Sequence, residues 1–451
     1  MKKYLKEIKI LLKVTIPIML AQMSQMSMGF INSIMIKSLN HSDIAAISIG
    51  TSIWYPIILF GHGLLLSIIP IISYMNGSGK IKEISEQIKN AYWLATFISI
   101  IIMTILWNVH YIINLISNIN PIIEKKITNY IKVLLWSTPG YLYFQVIQNK
   151  FEGFIKPKPA MIVGILGLLL NIIISYLLIY KKLSLFKSHN IGCALSIIIV
   201  YWFMFIMMKI ITKNNILKQK NFAFKNTQYL PNIEIIKNLF KIGYPIALSL
   251  FFEVALFTLI TLLIASLDIT QIIAHQIVLN ISSFIFIIPL SIGTATSIRI
   301  GFYLGRKNFK KISTIIISAQ ILGFVLSTII SISIIFFCKN IINLYTIENN
   351  IINYTKEIIL ISAAYQIFDF FQIIGNGILR SYKDTRMIFI ITFISYWILG
   401  FPIGYILALT NIITPKMGAI GFWIGIFFAL ISSSLMTLFR IISLHKNLKK
   451  I

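Results

Sequence analysis

The chain has 451 residues, of which 57% are hydrophobic and only 12% are charged, and its mean hydropathy is +0.86. So much apolar surface cannot be buried in one water-soluble core, so the composition excludes a soluble globular protein and predicts an integral membrane protein. The net charge of +27 would indicate nucleic-acid binding in a soluble protein, but here Lys and Arg are concentrated in short connectors between apolar runs. Such residues set membrane topology, so no nucleic-acid partner is predicted.

Apolar runs of about 20 residues, the length of a membrane-spanning helix, follow one another along the chain. The first run follows a basic N-terminal stretch and continues through Ile36 without a small-residue cleavage site. This pattern favours an uncleaved membrane helix over a signal peptide. We predict twelve spans in all, centred near residues 24, 60, 104, 140, 170, 202, 253, 287, 325, 368, 399 and 430.

The connector between the sixth and seventh predicted spans is longer and richer in Lys and Asn than its neighbours. We therefore predict an N-terminal six-helix lobe over residues 1–212, a cytoplasmic linker over residues 213–238 and a C-terminal six-helix lobe over residues 239–451. The predicted fold class is an all-α polytopic membrane protein with twelve transmembrane helices in two pseudo-symmetric six-helix bundles.

Basic residues are unequally distributed between alternate connectors. One side of the predicted membrane carries basic groups in every connector, including the regions around Lys6, Lys82, Lys156, Lys310 and Lys383. Because cytoplasmic connectors carry the excess of Lys and Arg, this side is predicted to be cytoplasmic, with both termini inside.

The two halves of the sequence resemble each other. Lys13–Leu39 matches Lys241–Leu267 at a constant offset of 228 residues, which aligns Pro17 with Pro245 and Gln25 with Glu253. Chance similarity between apolar helices is the alternative, but one offset persists over about sixty residues. Since each half holds an even number of predicted spans, both halves have the same orientation and the repeat axis runs along the membrane normal.

Two carboxylates lie near the middle of predicted spans that are otherwise almost free of charge, Glu253 in the seventh and Asp369 in the tenth. A carboxylate at membrane depth is costly and indicates binding or transport. Tyr365 lies four residues before Asp369, so the two side chains share a helical face. On the eighth span, Gln276 and Asn280 are also four residues apart and form a polar stripe. These oxygen-bearing groups are suited to a hard monovalent cation.

Structural roles are the alternative interpretation of these residues. A buried ion pair needs a basic partner, but Arg299 lies about twelve residues from the centre of its span, roughly 18 Å along a helix. One open alternative is that each carboxylic acid is protonated and hydrogen-bonded to a neighbouring helix. For Gln276 and Asn280, the alternative is hydrogen bonding between helices. His62 and His275 are isolated in apolar helices and are interpreted as core histidines.

Several segments together resemble the multidrug and toxic compound extrusion (MATE) transporters, in particular the NorM-like branch, over nearly the whole chain. The segments are MGFINSIMI at Met28–Ile36, SIWYPIILFGHGLLLSIIPIISYMNGSG at Ser52–Gly79, EGFIKPKPAM at Glu152–Met161, GYPIALSLFFE at Gly243–Glu253, AHQIVLNISS at Ala274–Ser283, PLSIGTATSIRIGFYLG at Pro289–Gly305 and LRSYKDTRM at Leu379–Met387.

The resemblance implies a two-lobed, twelve-helix exporter of cationic or amphipathic compounds that is driven by inward flow of Na⁺ or H⁺. We expect the protein to be a monomer in the bacterial inner membrane.

 In the family, positions that match Glu253, Asp369 and Tyr365 are associated with the coupling cation, so the resemblance implies Na⁺ at Glu253 and Asp369. The family usually has an aspartate where this chain has Asn32, a position tied to protonation or substrate binding in the first lobe. Because an amide cannot exchange a proton, we predict coupling to Na⁺, with H⁺ as the alternative.

The predicted function is secondary active efflux of cationic or amphipathic organic compounds, with Gln276, Asn280 and Asn32 as substrate or cavity candidates. A lipid-linked saccharide flippase of the same superfamily is the first alternative, although an acidic site is poorly suited to pyrophosphate. A non-transporting membrane receptor or scaffold is the second. No HExxH, GxSxG, P-loop or paired-Cys motif is present in the sequence, so neither an enzyme nor a cofactor is predicted.

Overall fold

The computed structural model describes residues 2–36, 40–113, 121–179, 189–218, 230–265 and 267–448. Within these ranges the chain is helical and forms no β-strand. Apolar helices suit a membrane because every backbone N–H and C=O group is paired inside the helix, where no water is needed.

The first half of the described chain contains nine helices and the second half contains eight, together with one π-helical segment, Ile394–Gly400. The helices are α1 (Lys2–Ile36), α2 (His41–Leu65), α3 (Ile68–Gly77), α4 (Ile81–Trp107), α5 (Val109–Ile113), α6 (Pro121–Leu134), α7 (Ser137–Gly153), α8 (Lys158–Ile179), α9 (His189–Lys218), α10 (Ile233–Ile264), α11 (Ile269–Gly305), α12 (Phe309–Phe336), α13 (Cys338–Asn343), α14 (Asn349–Ser381), α15 (Thr385–Phe393), α16 (Phe401–Leu409) and α17 (Ala419–Leu448).

Eleven helical stretches in the described ranges are long and apolar enough to cross a membrane. They match eleven of the twelve predicted spans. The remaining predicted span, centred near residue 140, falls on α6 and α7, which are separated by a turn at Leu135 and Trp136. Helix α6 has 14 residues and α7 has 17, so neither alone has the length of the other spans. The structure therefore has two shorter helices where the sequence predicts one span.

The described chain divides into two compact units. One unit contains Ile16–Ala247, and the other contains Met1–Thr15 together with Leu248–Ile451. Helices α1 and α10 therefore each contribute residues to both units. The predicted linker over residues 213–238 includes residues 219–229, which lie outside the described residues, so the predicted domain boundaries stay a prediction.

In the unit that contains Leu248–Ile451, α14 is the central helix and packs against α11, α12 and α17. Glycine permits its closest approach to α11: a Cβ atom added at Gly377 would collide with the carbonyl oxygen of Gly293. One apolar core lies around Trp423, Phe422 and Tyr396. This packing fixes α14, and with it Asp369, against three neighbouring helices.

In the unit that contains Ile16–Ala247, a separate core lies around Phe144, Ile147, Met204 and Met208, between α7 and α9. Ala21 and Met28 of α1 also belong to this core. The unit therefore has its own buried apolar centre, as expected for a structural repeat.

Helix endings recur at the repeat offset predicted from the sequence. Gly79 and Lys307, 228 positions apart, have φ of 76° and 56°, and Ile155 and Lys383, also 228 positions apart, have φ of 61° and 60°. After each of these left-handed residues, the next N–H reaches back to a carbonyl five residues earlier, as in Lys80 to Met75 and Asn308 to Tyr303. This is the Schellman ending of an α-helix. The internal repeat therefore extends to the backbone geometry of the two halves.

Candidate functional site

Glu253 lies on α10, and its side chain is partly exposed. The preceding residue is held firmly: the carbonyl of Phe252 accepts a hydrogen bond from Trp397 Nε1 at 3.0 Å. The Phe252 ring also packs edge-on against Phe393 and Trp397, with ring centroids 5.3 and 5.6 Å apart. These contacts fix the part of α10 that carries the carboxylate.

Asp369 and Tyr365 lie four residues apart on α14, and both are buried, with 6% and 5% of their surface exposed. The Asp369 carboxylate is close enough to Glu253 for their negative charges to repel each other. Tyr365 lies close enough to Asp369, to Ser282 of α11 and to Glu253 for their polar groups to influence one another electrostatically. The structure therefore brings together the three residues that the sequence predicts for a cation site.

Tyr396 is a fourth member of this cluster, and the sequence analysis did not identify it. It lies on the π-helical segment, is buried, and interacts with Glu253, Asp369 and Tyr365. Its hydroxyl donates a hydrogen bond to Gln372 Oε1 at 3.2 Å. π-Helical turns inside longer helices occur frequently at functional sites. The sequence signal that could have found it is a tyrosine near the middle of an apolar span.

No ion pair among the described residues involves either carboxylate. Arg299 pairs with Glu7, in agreement with the expectation that it lies too far from the cluster. Within the described ranges no group of three or more His, Cys, Asp or Glu side chains could hold a metal ion. A cation here would instead meet two carboxylates and neutral hydroxyl oxygens, which are ligands that hard cations prefer.

A family model for MatE matches residues 17–177 and 245–406, two segments whose starting points are 228 positions apart. The chain belongs to the MatE family. Among its relatives, the "Probable multidrug resistance protein NorM" of Buchnera aphidicola subsp. Baizongia pistaciae (strain Bp) is 66% identical over 451 residues, which cover 99% of this chain and 100% of that protein. The resemblance to MATE transporters inferred from the sequence motifs is thereby confirmed.

Solved structures with the same fold are much less similar in sequence. The eukaryotic MATE transporter AtDTX14 is 19% identical with a TM-score of 0.88, and the match covers 98% of this chain and 96% of that one. An aspartate-to-asparagine mutant of the MATE transporter VcmN from Vibrio cholerae is 16% identical with a TM-score of 0.89, and the match covers 99% of both chains. The predicted fold class, an all-α membrane protein in two helical bundles, is confirmed.

The polar stripe predicted on α11 of this MatE protein points away from the carboxylate cluster. Gln276 and Asn280 are exposed, as is Ser283. The residue of α11 next to Tyr365 is Ser282, and His275, seven residues earlier, shares its helical face. The assignment of Gln276 and Asn280 to a substrate cavity stays a prediction.

The repeat counterpart of Glu253 and the Asn32 position, both in the other unit of this MatE protein, carry amides. Asn32 is buried and accepts a hydrogen bond from Ser175 Oγ at 3.0 Å. Gln25, the repeat counterpart of Glu253, is hydrogen-bonded to the amides of Gln145 and Gln148 at 3.2 and 3.3 Å. An amide therefore occupies the place of Glu253 in the other repeat, and the Gln148 amide also donates a hydrogen bond to the buried carboxylate of Glu152 at 2.8 Å.

Proposed function

We propose that this MatE protein is a secondary active antiporter that exports cationic or amphipathic organic compounds in exchange for Na⁺, or for H⁺. The observation that carries the proposal is the proximity of Glu253 and Asp369 without a basic partner among the described ion pairs. Two carboxylates at close range in an apolar bundle repel each other, and uptake of a cation or a proton relieves that repulsion. The name of the NorM relative supports a drug as the exported compound.

Exchange requires the cation to bind more tightly to one conformation than to another, because only differential affinity shifts a conformational equilibrium. In the proposed cycle, a cation that enters from outside binds Glu253 and Asp369 and favours the conformation that releases the exported compound. The tyrosine hydroxyls of Tyr365 and Tyr396 complete the oxygen ligands. Their burial excludes competing water, so the cluster is suited to a partly dehydrated ion.

Na⁺ is the proposed coupling ion because the acidic cluster offers several oxygen ligands and because positions 25 and 32 of the other unit carry neutral amides. Asn32 and Gln25 cannot bind or release a proton in the physiological range, so they cannot support a proton-driven cycle in the other unit. A proton shared between Glu253 and Asp369 is the alternative. Separate Na⁺ and pH gradients distinguish the two ions.

The acidic cluster also bears on the rival functions. A flippase for lipid-linked saccharides carries a pyrophosphate group, which Glu253 and Asp369 would repel electrostatically. A receptor or scaffold that does not transport would show no dependence on an ion gradient. We further propose that the protein lies in the bacterial inner membrane, with the basic connectors and both termini in the cytoplasm.

Counterflow of a fluorescent organic cation into proteoliposomes tests the proposal, with the Na⁺ and pH gradients imposed separately. Glu253→Gln and Asp369→Asn remove a negative charge without changing size, and both should abolish gradient-driven transport while leaving expression intact. Asp268→Asn is the matched control, because Asp268 is an exposed carboxylate at the start of α11. Full transport by both site variants would overturn the coupling assignment, and transport driven by a pH gradient alone would replace Na⁺ by H⁺.

A further inference from the structure

His275 lies on α11 with no exposed surface, and both of its ring nitrogens have partners. Trp423 Nε1 lies 3.1 Å from Nδ1, and Thr261 Oγ1 lies 2.9 Å from Nε2. The indole N–H only donates, so Nδ1 accepts and carries no proton. The imidazole is therefore neutral, and Nε2–H donates to Thr261. The Thr261 hydroxyl in turn donates to the carbonyl of Phe257 at 2.8 Å.

This chain of hydrogen bonds ends at Trp423, whose indole packs against Tyr365 of the carboxylate cluster. The Trp423 indole, which is fully buried, lies nearly parallel to the Tyr365 ring, with ring centroids 6.0 Å apart and planes inclined by 11°. Tyr365 shares a face of α14 with Asp369, four residues further on, and lies near Ser282 of α11. The orientation of the indole therefore limits the orientation of the phenol, because the two flat rings lie parallel and offset in a closely packed core.

We propose that His275 is a positioning residue for the coupling-cation site, which it affects through Trp423 and Tyr365 without contacting the cation. This inference rests on the proposed function. The hydrogen bond from Trp423 to Nδ1 fixes the rotation of the indole, and the indole holds the Tyr365 hydroxyl beside Asp369. The hydrogen bond to Thr261 fixes the imidazole itself. Residues of α10, α11 and α17 therefore together define the position of Tyr365 on α14.

A histidine that merely fills the core would have a different signature. Such a histidine affects the stability of the fold, whereas a positioning residue affects the cation affinity of a folded protein. Two amide variants separate these roles. In His275→Asn the side-chain oxygen is at the place of Nδ1 and can still accept from Trp423. In His275→Gln the amide group is at the place of Nε2 and retains only the contact with Thr261.

The experiment measures transport of the fluorescent cation in proteoliposomes as a function of Na⁺ concentration. His275→Asn should stay near the wild-type half-saturating Na⁺ concentration. His275→Gln and Trp423→Phe should each raise it about fivefold, the size expected for one lost hydrogen bond. The KM for the organic cation should not change. Size-exclusion profiles and thermal midpoints of each variant confirm folding, and if His275→Gln does not fold, Trp423→Phe decides the result.

Equal behaviour of the Asn and Gln variants, or a change in the KM for the organic cation alone, would overturn the positioning role. Asp369→Asn in the same assay keeps the two proposals apart. If the wild type and Asp369→Asn respond equally to Na⁺ and to pH, the proposed coupling function fails. If Asp369→Asn loses the response while the His275 and Trp423 variants retain the wild-type curve, only the role of His275 fails.

Discussion

Glu7 has no exposed surface and accepts a hydrogen bond from Nε of Arg299 at 3.0 Å. Its other carboxylate oxygen forms an ion pair with Lys311 Nζ at 2.7 Å. Leu11, one helical turn further along α1, is buried in the same apolar core as Ile300 and Ile312. The start of α1 is thus joined to α11 and α12 by two ion pairs and an apolar contact.

Replacement of Glu7 by Gln should destabilise the protein, because it leaves Arg299 buried without a counter-charge. The loss expected for a broken buried pair is about 3–5 kcal/mol. Thermal unfolding of purified protein in detergent measures the effect. Glu83→Gln is the control, since Glu83 pairs with Lys80 on the exposed surface and its loss should cost about 1 kcal/mol or less. Equal midpoints for the two variants would contradict the structural role of Glu7.

Tyr396→Phe should weaken cation coupling while leaving the fold intact. The variant removes one hydroxyl oxygen from the cluster of Glu253, Asp369 and Tyr365, together with the hydrogen bond to Gln372. We expect about a tenfold rise in the half-saturating Na⁺ concentration, which corresponds to roughly 1.4 kcal/mol. Tyr354→Phe is the control, since the Tyr354 hydroxyl bonds to the Met417 carbonyl outside the cluster. An unchanged Na⁺ curve for Tyr396→Phe would exclude it as a ligand.

The sequence predicted those parts of the cluster that depend on residue type alone. Glu253 and Asp369 could be found because a carboxylate in an apolar span is unusual, and Tyr365 could be found because i and i+4 positions share a face of a regular helix. Tyr396 could not be assigned in the same way, because a π-helical turn changes the angle between successive side chains. On α11 the sequence indicated Gln276 and Asn280, but the face beside Tyr365 carries Ser282 and His275. Which face of a helix meets its neighbour depends on packing that the sequence of one helix does not specify.

Cys338 should react slowly with maleimides at neutral pH. Its side chain is buried, and burial raises the pKa of the Cys338 thiol, so the reactive thiolate is scarce at pH 7 and increases only at alkaline pH. A variant with Asn340→Cys is the comparison, because Asn340 is exposed two residues further along α13. Mass spectrometry of labelled protein should find modification at position 340 before position 338. Rapid modification of Cys338 at pH 7 would show that the packing around α13 opens in solution.

The polar stripe on α11 should face water, which is required if Gln276 and Asn280 contact a transported compound. Asn280→Cys should therefore react with a membrane-impermeant thiol reagent in intact vesicles. Val325→Cys is the control: Val325 is also exposed and lies eleven residues from the end of α12, as Asn280 lies eleven residues from the start of α11. Because consecutive helices run in opposite directions, the two positions are at matched depth.

Position 325 should stay unlabelled in lipid, and an excess of the transported organic cation should slow labelling at position 280. Equal and unprotected labelling at both positions would remove Asn280 from the substrate path.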